Sequence, residues 1–380
     1  MYGRRHTRTD GLKELIGKDE KLKRALLWLP ARLYELGVRL RGVAYETDYL
    51  KPKHLNATVI SIGNITLGGT GKTPMVEYIA RYLKEEGYSV AILTRGYKRR
   101  STSRGVLNGS GGENEISGSY LDFGDEPLMI ARRLPDLPIV IDKERYEGGR
   151  WAVDELGVEV LVLDDAFQHL KIARDLNILL IDATDPFGGF EMVPFGRLRE
   201  PLYGIKRADA VIVTRADRPF DQGQANAIVK HLCGEKVPLF YAYSSITHLL
   251  HLESNEIYEA EMFAGWNVSV MCGIGNPEAF SEDILRSRIN IVGEHFFRDH
   301  YAFTQADLDR VTASASEARA DAIITTEKDA VRLEGLKHGE VPIYAARLEI
   351  ESDDEIRLKS LLLRTIIEKR SALRKQKTRS

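Results

Sequence analysis

Residues 66–73 read Thr-Leu-Gly-Gly-Thr-Gly-Lys-Thr. An apolar β-branched run, 57–62, precedes them, and a stretch of helical character, 74–86, follows. Strand, glycine-rich loop, Lys-Thr and helix in that order constrain this chain more than any other feature. Glycines let successive backbone N–H groups curl around phosphate oxygens. The helix N-terminus adds the positive end of its dipole. Lys72 is spaced to reach the outer phosphates, and the Thr73 hydroxyl to ligate Mg²⁺. Thr66, Leu67, Gly68, Gly69, Thr70, Gly71, Lys72 and Thr73 are therefore the candidate phosphate-binding loop, with Mg²⁺ as the expected cation. The usual pattern opens on Gly, whereas Thr66 stands there. Leu67 occupies the place where some ATPases with a Gly-Gly-x-Gly-Lys-Thr loop carry an extra lysine. The competing reading is a glycine-rich turn that only starts a helix.

Strands alternate with helices from residue 57 onward. Expected strands are 57–62, 89–94, 138–142, 158–163, 177–181 and 210–214. Several, such as 160–163 and 177–181, are near-continuous apolar runs, the mark of strands buried on both faces of a parallel sheet. The fold class is accordingly α/β, a P-loop NTPase-like, mostly parallel sheet domain plus a smaller α/β domain. Residues 101–118, rich in Ser and Gly, read as a hairpin turn or mobile loop. The alternation breaks near 239, where 239–243 and 246–257 read as extended segments forming a two-stranded ribbon between the domains. It resumes at 268–271 and runs to a closing helix at 353–371, with a basic tail after Lys369 expected to be disordered. The expected organisation is an amphipathic segment 1–45, a P-loop domain 46–238, a ribbon linker 239–265 and a smaller domain 266–380. A chain of 380 residues has room for this.

Residues 1–20 are polar and expected to fray. In 21–41, Leu22, Leu26, Leu29, Leu33, Leu36 and Leu40 recur at three- and four-residue steps and share one helical face. Pro30 is expected to kink or restart that helix. Six basic residues, Lys21, Lys23, Arg24, Arg32, Arg39 and Arg41, face one acid, Glu35, in the same window. Such a helix either lies on an anionic membrane surface or packs on the protein's own core with a solvated basic face. No run of about 18 apolar residues is present, and no secretory signal is visible. The net charge of −2 gives no global pull toward nucleic acid, and none is expected as a partner. Two cysteines, Cys233 and Cys272, are too few for a disulfide scaffold or a zinc site.

A P-loop needs a carboxylate at the end of a neighbouring strand to hold the metal shell. Asp164 and Asp165 follow the apolar run 160–163. Adjacent strand residues point to opposite faces, so only one carboxylate can face a metal unless the strand has ended. Gly124-Asp125-Glu126-Pro127 opens a helix, where negative charge is stabilising on its own account. Asp299 and His300 precede Thr304, an expected helix N-cap. Two arginine groups, 94–100 and 197–201, are either anion-binding or ordinary solvated surface. A basic patch near a P-loop is expected when the second substrate is also phosphorylated.

Taken together, the strings resemble the tetraacyldisaccharide 4′-kinases, the lipid A 4′-kinases of Gram-negative bacteria. They are Gly63-Asn64, Thr94-Arg-Gly-Tyr97, Gly124-Asp-Glu-Pro127, 142–149, Asp164-Asp-Ala-Phe-Gln-His169, Leu198-Arg-Glu-Pro201, Gly273-Ile-Gly-Asn-Pro277, Asp299-His-Tyr301 and Thr326-Glu-Lys-Asp329, in order over roughly 25–350. Thr66 is shared with that family. The resemblance implies transfer of the ATP γ-phosphoryl group to the 4′-hydroxyl of a tetraacyldisaccharide 1-phosphate, giving the 1,4′-bisphosphate lipid IVA. It implies a peripheral enzyme on the cytoplasmic face of the bacterial inner membrane, with the lipid A disaccharide 1-phosphate precursor and the anionic membrane surface as partners. It implies Asp125 as general base, His300 as its partner with Asp299 adjoining, and Lys72 on ATP. Thr73, Asp164, Asp165 and Gln168 fall on the metal side, and Arg95, Glu126, Arg145, His169, Arg199 and Glu200 on the substrate side. Two departures stand out. Ala166 replaces a usual Gly, which matters only if that position needs φ > 0, and Arg298 replaces a usual Pro. The rival reading is a membrane-associated P-loop ATPase switch without a phosphorylated product.

Overall fold

The computed structural model describes residues 8–107 and 119–378. Helix α1 (Arg8–Glu46) runs through Pro30 as one element. The polar stretch expected to fray is helical from Arg8, and residues 1–7 lie outside the described residues. The chain continues through β1 (Thr58–Asn64), α2 (Lys72–Glu85), β2 (Val90–Thr94), β3 (Gly105–Leu107), α3 (Tyr120–Phe123), α4 (Asp125–Arg133), β4 (Ile139–Ile141), α5 (Arg145–Leu156), β5 (Val160–Asp164), β6 (Leu176–Asp182), β7 (Ala210–Thr214) and α6 (Gln222–Cys233). All six strands expected in this part are present, and β3 is added from the segment read as a loop. Residues 108–118 of that segment lie outside the described residues.

The second half holds β8 (Leu239–His251), β9 (Ile257–Glu259), β10 (Asn267–Cys272), α7 (Pro277–Arg286), β11 (Asn290–Phe296), α8 (Gln305–Glu317), β12 (Ala322–Thr326), α9 (Glu327–Leu333), β13 (Ile343–Ser352) and α10 (Glu355–Lys377). Thr304 caps α8 in a reciprocal capping box with Asp307, so that end is fixed by local hydrogen bonds. The basic tail after Lys369, expected to be disordered, is helical to Lys377 in α10.

Strand order is β11-β10-β12-β13-β8-β7-β6-β1-β5-β2-β4-β3, with β9 on the flank of β8. All ladders among the described residues are parallel except β3–β4, β8–β9 and β8–β13. β1 lies between β5 and β6, every one of its residues buried, as the near-continuous apolar pattern requires. Alternate side chains sort to opposite faces. Ile60 and Ile62 pack with Met75, Val76 and Ile79 of α2, whereas Val59 joins Leu161, Leu163 and Ala152 beneath α5.

β8 serves both halves of the molecule. Its first residues pair in parallel with β7 (Val211↔Leu239), and the rest pairs antiparallel with β13 from Ala242↔Ser352 to His251↔Tyr344. The two segments read as a ribbon therefore form one strand, a β-turn and β9. The long antiparallel partner is β13, about a hundred residues further on. The second half has its own core, built from Val268, Val270, Phe280, Ile284 and Ile324 on one face and Leu308, Val311 and Ile323 on the other.

Candidate active site

The nucleotide loop sits at the carboxyl end of β1, where open parallel sheets place their ligands. Gly71, in left-handed conformation at φ 74°, turns the chain into α2, whose first residues are Lys72 and Thr73. Gly68 takes φ 117°, and the Arg197 guanidinium lies where a Cβ would sit. The loop 197–200 is zipped along the entry of the P-loop. Leu67 N donates to Arg197 O at 2.7 Å and Arg199 N to Ile65 O at 2.7 Å, with a bridge between Thr66 and Leu198. Lys72 Nζ lies 3.4 Å from Asn64 Oδ1 and 3.8 Å from Asp165 Oδ1. Thr70 is buried.

Asp164 ends β5, and Asp165 follows at φ 47°. The strand has stopped, and the left-handed residue turns the second carboxylate, so both line the same cleft. Left-handed geometry falls on Asp165 and not on Ala166, which is why Ala replaces Gly at 166 without strain. Thr94 Oγ1 donates to Asp164 Oδ2 at 3.1 Å, while Asp164 Oδ1 is buried and accepts no hydrogen bond. Burial, with Glu126 and Asp165 nearby, pushes the Asp164 carboxyl up to about 7. Burial also acts to raise Asp165, but Lys72 and Arg199 outweigh it and hold that carboxyl below the usual range. Arg199 grips both Asp165 oxygens at 2.8 Å.

The residues expected on the substrate side, together with Gln168 expected on the metal side, divide into two groups. Arg145 is buried and donates to Asp142 O and Asp164 O at 3.2 and 3.3 Å. Gln168 Nε2 donates to Asn64 O at 2.7 Å and to Glu200 Oε1 at 2.8 Å, and Glu200 also holds Arg207. These residues brace the loops. Arg95 is exposed on the cleft wall. His169 lines the cleft with a buried, unpartnered Nε2, and burial plus Arg145 and Arg41 push it down to about 4, so its imidazole is neutral.

Asp125 and Glu126 open α4 and meet the second half of the molecule. His300 Nδ1 lies 2.8 Å from Asp125 Oδ2, across 175 residues of chain. Glu126 N donates to Asp125 Oδ1 at 2.9 Å. Arg332 Nε and its neighbouring guanidinium nitrogen add contacts to Asp125 Oδ2 at 2.9 and 2.8 Å. Burial raises the Asp125 carboxyl, but the His300 hydrogen bond and the Lys328 and Arg332 charges hold it far below the usual range. His300 stands at φ 58°, its backbone N–H tied to Gly273 O at 3.1 Å, so the turn persists with Arg298 before Asp299. His300, Asp299, Glu126 and Lys328 line the cleft, whereas Asp125 lies behind them. Lys328 and Arg332 of α9 received no role from the sequence. The signal was their i, i+4 spacing, which puts both on one face of a helix. Lys143, Lys171 and Arg41 also border the cleft and were likewise missed.

The cleft has a volume of about 990 Å³ and runs between the P-loop and the two carboxylate groups. Hard oxygen donors at Thr73, Asp164 and Asp165, with one buried carboxylate oxygen unpartnered, fit Mg²⁺. Among the described residues no three His, Cys, Asp or Glu form a ready metal cage. A cation here would complete its shell with phosphate and water, as Mg²⁺ does.

A glycine-rich phosphate loop at the carboxyl end of the central strand of a mostly parallel sheet defines the class, a P-loop NTPase-like α/β protein. The chain belongs to the tetraacyldisaccharide-1-P 4′-kinase (LpxK) family, whose profile matches residues 23–367. It is 37% identical over 351 residues to the tetraacyldisaccharide 4′-kinase of Geobacter sulfurreducens, covering 92% of this chain and 95% of that one. It is 34% identical over 359 residues to the kinase of the same description from Syntrophus aciditrophicus, covering 91% and 94%. Among solved structures it is similar to LpxK from Aquifex aeolicus in complex with ATP, with a TM-score of 0.71, 32% identity, and 90% of this chain and 99% of that one covered.

Proposed function

We propose that the chain transfers the γ-phosphoryl group of ATP to the 4′-hydroxyl of a tetraacyldisaccharide 1-phosphate, a lipid A precursor. The observation that carries this reading is one cleft bordered by both Lys72 of the P-loop and His300, with Asp125 bound to the ring from behind. Phosphoryl transfer is mostly positioning and charge neutralisation, with one group needed to receive the hydroxyl proton. The P-loop amides from Leu67 to Thr73 and Lys72 hold the outer phosphates. Thr73 and Asp164 would hold Mg²⁺ directly, with Asp165 beside them, and the ion when bound supplies positive charge at the phosphoryl oxygens. Asp165 is engaged by Arg199, and Gln168 braces the loop through Asn64 and Glu200.

Asp125 and His300 act as one base. Both Asp125 oxygens are engaged and its side chain is only 7% exposed, so the atom of the pair that meets the acceptor hydroxyl is His300 Nε2. Asp125 holds the ring through Nδ1–H and favours the charged imidazole that forms. Arg95, Lys143 and Lys171 give the acceptor side of the cleft its positive charge, in keeping with a phosphorylated acceptor.

The same reading places the protein peripherally on the cytoplasmic face of the inner membrane. What supports it is α1, whose Leu29, Leu33, Leu36, Leu40 and Val43 are all more than half exposed while Ala31 and Glu35 are buried. No helix among the described residues is long and apolar enough to cross a membrane. The test is incubation with γ-labelled ATP and the lipid disaccharide 1-phosphate in mixed micelles, with Lys72→Ala as control. Label in the lipid with wild type, cut at least about a hundredfold in the variant, is the expected result. Label released only as inorganic phosphate would instead favour the ATPase switch.

A further inference from the structure

Helix α9 presents two cations one turn apart to the Asp125–His300 pair. Arg332 grips Asp125 Oδ2 from behind. Lys328 Nζ lies 3.2 Å from His300 Nε2, 3.0 Å from Glu126 Oε1 and 3.6 Å from Asp299 Oδ1. Its partners come from both halves of the molecule, α4 on one side and the loop after β11 on the other. An ammonium group has three donors and no acceptor, so Nε2 at this distance must accept. The other ring nitrogen meets a carboxylate and must donate. The two contacts together specify a single form of the imidazole, protonated at Nδ1 and bare at Nε2, the form a base requires.

We propose that Lys328 is a positioning residue of the phosphoryl transfer, holding His300 Nε2 bare and aimed at the cleft while tying α4 to the His300 loop. The inference rests on the reading of His300 as the proton-receiving end of the pair. The groups facing the ring are Asp125 and Glu126 from α4, Asp299 beside it, Lys328 and Arg332 from α9, and the Tyr97 ring, whose centroid is 5.2 Å away. Among these Lys328 alone is a cation within hydrogen-bond reach of Nε2. Without it, the charged group left nearest Nε2 is the Asp299 carboxylate at 3.9 Å, an acceptor that calls for an N–H there. Anchored by Glu126 and Asp299, Lys328 can yield Nε2 to the acceptor hydroxyl without leaving the site, and its charge then faces the transferred group.

The experiment uses the full chain with ¹⁵N-labelled histidine, read by NMR at neutral pH without substrates, beside steady-state kinetics. In wild type the His300 signals should report Nδ1 protonated and Nε2 bare. In Lys328→Met, Nε2 should become protonated, kcat should fall about tenfold or more, and KM for ATP should stay within about twofold. Lys328→Arg, which keeps a donor, should restore a bare Nε2 and part of kcat. Lys328→Gln serves as the second variant if the Met form does not fold. A bare Nε2 in folded Lys328→Met, or an unchanged kcat, overturns the proposal. The spectrum needs no substrate, so absence of lipid labelling by wild type would defeat the proposed function while leaving Lys328 to be judged by the ring.

Discussion

Asp165 and His300 are both non-glycine residues in the left-handed region, at φ 47° and 58°. Such positions cost on the order of 1–3 kcal/mol each and persist only where the surroundings over-determine them. Here Arg199 fixes one, and Asp125, Gly273 and Lys328 fix the other. The strings around them were legible in the sequence, because chemistry at a site demands particular residue types in order. Which carboxylate of Asp164-Asp165 is free was not legible, since it depends on where β5 stops and on Arg199 from a remote loop. The seat of Asp125 behind His300 was equally hidden, being set by Arg332. At this scale the testable consequence is coupling. Asp125→Ala and His300→Ala should each lower kcat about a hundredfold or more with little change in KM for ATP, since a base acts in the transition state. The double variant should lose far less than the product of the two, because the pair works as a unit. Fully multiplicative losses in steady-state kinetics would show two independent groups.

Two elements carry consequences that reach beyond their own residues. The leucine stripe of α1 could be read from its spacing, but whether it faced inward or outward could not. Burial of Ala31 and Glu35 answers that for Leu29, Leu33, Leu36 and Leu40, which are left outside, while the side chains of Leu22 and Leu26 lie outside the described residues. Tyr34 donates to Arg199 O at 2.9 Å and Arg41 to Gln168 O at 2.9 Å, so the inner side of α1 rests on the loops of the cleft. Arg32 and Arg39 are engaged with Glu35, at 2.7 and 2.5 Å, so on the proposed membrane reading the exposed leucines are the part of α1 to test first. Leu33→Gln with Leu36→Gln and Leu40→Gln should therefore reduce co-sedimentation with anionic vesicles several-fold and leave the melting temperature within a few degrees, as surface substitutions do. Unchanged co-sedimentation would remove α1 from the membrane. The second element is α2, whose Glu77 is buried against Arg133 of α4, which also holds Glu327 of α9. Burial, with Glu327 sharing the same guanidinium, pushes Glu77 up to about 7. The unfolded chain then ionises this group first, near the ordinary glutamate value of 4.5, so the folded state binds the extra proton between about 4.5 and 7. Stability from this group falls as pH rises through that window and is flat outside it, a change on the order of 3 kcal/mol. Glu77→Gln removes the slope. Its melting temperature relative to wild type should climb between pH 5 and 7.5 in calorimetry, and a constant difference would mean Glu77 is ionised in the fold throughout.

At the scale of the whole molecule, β8 and β13 make one sheet of what the sequence divides in two. Local pattern marks strands well, but it cannot pair residue 242 with residue 352, and so the partner of β8 was missed. For the same reason α9 went unassigned. It is a short helix between β12 and a loop, and its value lies in where the sheet carries Lys328 and Arg332. The sheet also brings the loop after β10 against the P-loop. A Cβ built on Gly275 would lie 3.7 Å from Gly68 Cα and 3.7 Å from Gly69 N, in ordinary van der Waals contact, with Asp299 Oδ2 at 3.6 Å. Gly275 is not among the residues at positive φ, so alanine adds a methyl without backbone strain. A branched side chain would extend into the space where the P-loop amides must curl around phosphate. Gly275→Ala should therefore leave ATP affinity within about threefold. Gly275→Leu should weaken it tenfold or more, with kcat lowered and the melting temperature nearly unchanged, since the substitution crowds a cleft and not a core. Isothermal titration with a non-hydrolysable ATP analogue, set beside the melting curves, makes the comparison. Equal affinity in the Ala and Leu variants would mean that the two halves stand further apart when nucleotide binds, and that the contact between Gly275 and the P-loop plays no part in holding it.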